Sequence, residues 1–112
     1  MVIPSINSSE FNVAANNIKK AEGFSEWIHI DVEDGRFTKY VTWGNPEEFK
    51  SLNTRLNLEV HLMVQEPEGE VERWLKVGAK RIIVHLQSIK DPSFILRMCN
   101  RYGAEAELSL DR

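Results

Sequence analysis

A chain of 112 residues, 42% of them hydrophobic, has material for one small core and is short for two. Its formal charge of -3 and isoelectric point near 5.6 supply no basic field, so neither nucleic acid nor an anionic membrane surface is expected as a partner. The Met1-Val-Ile-Pro-Ser5 start lacks the basic and apolar stretches of a leader, and no apolar run reaches the roughly 18 residues of a membrane span, so a soluble, cytoplasmic chain is expected.

Short β-branched runs alternate with longer amphipathic ones. The first strand is read at Val2–Ile6, and the helix after it takes a cap from Ser8 or Ser9 and a left-handed end at Gly23. A second strand follows at Trp27–Val32, then a helix opened by Asn45-Pro46, where proline suits the first turn and the asparagine accepts its free amide hydrogens. The third strand, Leu58–Val64, leads to a helix opened more weakly by Glu66-Pro67 and ended at Gly78. After the fourth strand, Arg81–Leu86, Asp91-Pro92 opens a helix that carries Cys99, the only cysteine, in the apolar setting Phe94-Ile-Leu-Arg-Met-Cys99. That cysteine excludes an internal disulfide and reads as a packed thiol. Gly103 then precedes a fifth strand at Ala104–Leu110.

Strands alternating with helices at this spacing predict a parallel sheet built from βα units. A doubly wound open sheet shares that alternation, but Pro4-Ser5-Ile6-Asn7-Ser8 after the first strand is no glycine-rich dinucleotide loop. A complete eight-stranded barrel takes about 250 residues, so residues 1–112 are read as a single half-barrel domain of about four βα units and a fifth strand.

Strand residues alternate between faces, which separates two kinds of surface. Ile28, Ile30 and Val32 share one face with Leu58, Val60, Leu62 and Val64 on the next strand, and should meet the helices. The other face carries His29, Asp31, Glu59, His61, Met63, Ile83, His85, Glu105 and Glu107. Parallel strands buried on both sides are normally aliphatic throughout, so this polar face is the expected working surface.

His29 and Asp31 lie two apart near the end of one strand, and His61 holds a comparable place on its neighbour, so two imidazoles and a carboxylate can meet at one cation. The plainer alternative is a set of hydrogen-bonded strand residues in a polar interior, and the His-x-Asp pattern alone favours it. His85 has no carboxylate on its own strand and is read as hydrogen-bonded near Gln87 or to water. Trp43 and Trp74 read as packing residues, and Glu66 to Glu72 as a solvated helix face.

Four segments together resemble the ribulose-phosphate 3-epimerase family: Pro4-Ser5-Ile6, His29-Ile-Asp31-Val-Glu-Asp34-Gly35-Arg-Phe37, Val41-Thr-Trp-Gly44 and Val60-His61-Leu62-Met63. The combination is far more specific than any one segment, and it turns the balance toward a metal site. The resemblance implies the first half of a TIM (β/α)8 barrel with His29, Asp31 and His61 as metal ligands, and with Asp31 doubling as one of two acid/base carboxylates. Ser5, His29, His61 and Met63 would contact substrate. The implied reaction is proton transfer at carbon 3 of a pentulose phosphate such as ribulose 5-phosphate, assisted by a divalent ion; zinc, iron, manganese and cobalt all accept such ligands. Related decarboxylases place a lysine two residues after a strand aspartate, a pairing absent from the strands read here.

The chain departs from the family at Glu33, Arg36, Thr38-Lys39-Tyr40 and Gln87, where the family carries methionine, histidine, Val-Pro-Asn and glutamate. In the family a second catalytic aspartate lies on the seventh strand, with phosphate-binding loops after the seventh and eighth. Two readings follow: an epimerase-like half-barrel whose turnover is impaired alone, or a non-catalytic assembly or metal-binding module. The stop at Ser109-Leu-Asp-Arg112, just after a strand, admits a truncated barrel as the origin. Open sheet edges and an uncovered inner face predict a homodimer.

Overall fold

The computed structural model describes residues 3–110. Five strands, β1 (Ser5–Ile6), β2 (Trp27–Glu33), β3 (Asn57–Met63), β4 (Ala79–His85) and β5 (Glu105–Ser109), alternate with α1 (Phe11–Ala21), α2 (Pro46–Ser51), α3 (Glu68–Lys76) and α4 (Pro92–Arg101). A 3-10 turn at Leu86–Ser88 leads from β4 toward α4. The strands are all parallel and stand in chain order, β1-β2-β3-β4-β5. Sequential order with right-handed crossovers puts every helix on one side of the sheet, as in a barrel wall. A doubly wound sheet would reverse its order partway, and this one does not. The half-barrel expected from the sequence is therefore the observed architecture.

Local chemistry explains most boundaries. Asn45 Oδ1 accepts from the Glu48 amide at 2.9 Å and Asp91 Oδ1 from the Phe94 amide at 3.2 Å, each with proline in the first helical turn. Gly78 (φ 101°) and Gly103 (φ 71°) take the left-handed conformation after α3 and α4.

Three expectations are corrected. Neither Ser8 nor Ser9 caps α1, whose N-cap is Glu10; the Ser8 hydroxyl instead donates to the Glu10 carbonyl at 3.1 Å. Gly23 is not left-handed, because α1 closes with Gly23 and Phe24 amides donating back to Lys20 and Ala21 carbonyls in right-handed turns. The left-handed residue past α2 is Asn53 (φ 53°), a type whose short polar side chain tolerates that region. The first strand begins at Ser5, after Pro4, and Val2 lies outside the described residues.

The core sits between sheet and helices. Ile28, Ile30, Leu58, Val60, Leu62, Ile82 and Val84 project from the outer face and are almost fully buried against Ala14, Ile18, Phe49, Val71, Trp74, Ile95 and Cys99. Each such side chain contributes about 1.5–3 kcal/mol by leaving water. Trp74 and Cys99 are packing residues, as their sequence settings indicate, and burial raises the Cys99 thiol above its usual range. No helix among the described residues is long and apolar enough to cross a membrane.

Candidate metal centre

Parallel pairing lines up the inner-face residues in rows. Ser5 pairs with His29, His29 with Glu59, Glu59 with Arg81 and Arg81 with Glu105. One step toward the carboxyl ends of the strands, Asp31 pairs with His61, His61 with Ile83 and Ile83 with Glu107. Beyond that row Glu33 pairs with Met63. Ser5 and Met63, both expected at the substrate, thus flank the His29, Asp31 and His61 group on the same face.

The three expected ligands converge. Asp31 Oδ1 lies 2.7 Å from His29 Nε2 and 3.1 Å from His61 Nδ1, and ligand atoms of the three residues fall within 4.8 Å of one another. All three side chains are largely enclosed, with 16 to 21% of their surface exposed. Two imidazoles and a carboxylate that already meet at one point fit a divalent cation, and as three ligands they leave positions open for other oxygens.

Their electrostatics follow from the same contacts. The hydrogen bond to Asp31 raises the His29 imidazole above its ordinary value of 6.5, opposed by burial and reinforced by Glu59. For Asp31 burial acts upward, but hydrogen bonds from His29 and His61 outweigh it and hold the carboxyl well below its usual range. Asp31 is therefore ionised at neutral pH.

The β2–α2 loop lies against this face. Asp34 organises it: one carboxylate oxygen accepts from the Arg36 and Phe37 amides at 2.9 and 3.0 Å, and the other from the Gln65 amide beyond β3 at 2.9 Å. Those contacts outweigh partial burial and lower the Asp34 carboxyl. Gly35 is required by its φ of 78°, and Gly44 by close packing, since a Cβ there would stand 2.7 Å from a Val32 methyl. Phe37 is thereby laid on His85, with ring centroids 5.3 Å apart. Of the departures from the family, Glu33 accepts from the Thr38 hydroxyl at 2.8 Å, and the Gln87 amide donates to the Leu110 carbonyl at 2.8 Å.

Two neighbours of the ligands escaped the sequence reading. His85 is buried, and its Nε2 lies 2.8 Å from His61 Nε2, so the candidate ligand is one of its partners. Glu59 places Oε1 2.6 Å from His29 Nδ1. The available signal was their membership of the polar face; the pairing partners come from strand register, which no single strand displays.

These features define a class: the barrel wall of a (β/α) protein with a potential metal triad at the carboxyl ends of neighbouring strands, where such folds place their chemistry. The family model for the ribulose-phosphate 3-epimerase family matches residues 1–112. The chain is 39% identical over 102 residues to ribulose-phosphate 3-epimerase of Synechocystis, covering 88% of this chain and 44% of that protein. It is 34% identical to the Bacillus subtilis enzyme of that name, with 98% of this chain and 52% of the relative covered. Against the chloroplastic ribulose-5-phosphate-3-epimerase of Arabidopsis thaliana it is 41% identical over 90 residues, 78% of this chain and 32% of the relative. The chain belongs to the ribulose-phosphate 3-epimerase family, as its motifs imply, and spans about half the length of the curated relatives it matches.

Proposed function

We propose that residues 1–112 form one half-barrel domain that supplies one side of an epimerase site, acting on a pentulose phosphate such as ribulose 5-phosphate. The observation that carries this reading is the convergence of His29, Asp31 and His61 in a chain of this family. His29, Asp31 and His61 would hold a divalent ion, which when bound polarises the substrate carbonyl and stabilises an enediolate.

The chain's own residues account for one proton transfer. Asp31, ionised at neutral pH, accepts the proton on carbon 3 and can return it to the same face of the enediolate. In the metal-free chain His29 and His61 hold Asp31 through the hydrogen bonds described above, bonds that a bound ion would replace, while Ser5 and Met63 line the substrate's approach. Inversion needs a second acid on the opposite face, from outside these residues. A partner that joins the free edges of β1 and β5 would supply the remaining wall, and a second copy of the chain is the simplest candidate.

The test is incubation of the chain with ribulose 5-phosphate and a divalent metal in deuterium oxide, with the carbon-3 proton followed by NMR. Metal-dependent loss of that signal, abolished by Asp31→Asn, is expected. If neither exchange nor xylulose 5-phosphate appears, catalysis is excluded and the second reading, a non-catalytic metal-binding or assembly module, takes its place. That second reading is favoured by the single acid/base carboxylate that the triad contains.

A further inference from the structure

Glu59 is the one buried carboxylate among the described residues, 8% exposed on the inner face of β3. A charge removed from water in this way is costly unless every oxygen is paired. Both oxygens are paired, and to different strands. Oε1 faces His29 Nδ1 at 2.6 Å and Oε2 accepts from Arg81 Nη1 at 2.5 Å. Burial pushes the Glu59 carboxyl upward, but its bonds to His29 and Arg81 prevail and keep it charged.

Arg81 is itself held on three sides. Its guanidinium lies 4.6 Å above the centre of the Trp27 ring, bonds Glu59, and reaches Glu105 at 3.5 Å. Strand alternation puts it there: Arg81 shares the inner face of β4 with Ile83 and His85, and the register that pairs Val60 with Ile82 sets it opposite Glu59. The register shifts only before this pair, where Leu58 meets Ala79 and Lys80 is left exposed.

We propose that Glu59 and Arg81 are positioning residues of the metal centre: Glu59 takes the hydrogen of His29 Nδ1, leaving Nε2 as the free ligand nitrogen beside Asp31, and Arg81 fixes Glu59. The inference rests on the metal reading given above. A neutral imidazole carries one hydrogen, so an acceptor at Nδ1 dictates which nitrogen can bind a cation. It also fixes the ring and makes Nε2 a stronger donor.

The test is cobalt(II) affinity, measured by chelator competition, together with the visible d–d spectrum of the bound ion. Two variants are compared with the unaltered chain. Glu59→Gln keeps size and an acceptor oxygen but not the charge, and an affinity loss of about 10-fold with a shifted band is expected. Glu59→Leu combined with Arg81→Met removes the acceptor without stranding a cation, and a loss of about 100-fold is expected. A purely structural pair would alter unfolding midpoints and leave affinity and spectrum unchanged. Binding by either folded variant within about threefold of the unaltered chain, with the same spectrum, overturns the positioning role. Failure of the unaltered chain to bind cobalt overturns the metal reading, and this inference with it, so the two failures are distinct.

Discussion

Nε2 of His61 lies 2.8 Å from Nε2 of His85, so the two rings share one hydrogen and only one of them donates it. With Nδ1 of His61 facing Asp31, a cation at that nitrogen leaves Nε2 protonated and makes His85 its acceptor. His85 is buried and covered by Phe37, which holds its ring in place. Replacing His85 by Phe keeps an aromatic of similar shape and deletes the acceptor. Metal affinity should fall about 10-fold in competition titrations while the circular dichroism spectrum is retained.

Stability of the metal-free chain should peak in mildly acidic solution. The His29 pKa is raised in the fold, so its stabilisation is fully present below the unfolded value of 6.5 and fades as pH rises through the folded value. Asp31 is lowered, so its contribution is present above the unfolded value of 3.8 and fades as pH falls toward the folded value. The two overlap between about pH 4 and 6.5, where urea midpoints should be highest. Substituting Asp31→Asn should flatten that maximum.

The loop glycine of Val41-Thr-Trp-Gly44 gives a packing prediction. A methyl at Gly44 would stand 2.7 Å from Cγ1 and 3.0 Å from Cγ2 of Val32, a strand residue that cannot retreat through the core. Gly44→Ala should cost about 1–3 kcal/mol of stability in urea unfolding. Removing the obstruction with Val32→Ala in the same chain should recover part of that loss.

The free edges of β1 and β5 predict self-association through the sheet. Sedimentation equilibrium should give twice the 12.9 kDa mass of one chain at micromolar concentration. A single-chain mass throughout that range would reject a homodimer.

Much of this organisation is legible in the amino-acid order. Ile28, Ile30 and Val32 alternating with His29 and Asp31 separate the helix-facing side of β2 from its inner side, and Asn45-Pro46 and Asp91-Pro92 mark two helix starts through side-chain caps that form as expected. The caps misread at Ser8 and Gly23 lie at opposite ends of α1: its N-cap Glu10 makes no side-chain cap bond, and past its last turn the Lys20 and Ala21 carbonyls accept from the Gly23 and Phe24 amides without a left-handed residue. The shell around the ligands was hidden for a different reason. Glu59 meets His29 through register between β2 and β3, and Arg81 meets Glu59 through register between β3 and β4. His85 likewise finds His61 on the neighbouring strand. Alternation along one strand shows which face a residue takes, and the partner across the sheet depends on tertiary pairing.

The central claim, that His29, Asp31 and His61 form one metal site, is tested most directly by metal content per folded chain after equilibration with zinc and removal of excess ion. One ion per chain, lost in His61→Ala while the fold is kept, is the result the site predicts. Metal-free protein, or an ion retained with unchanged affinity in folded His61→Ala, would contradict it.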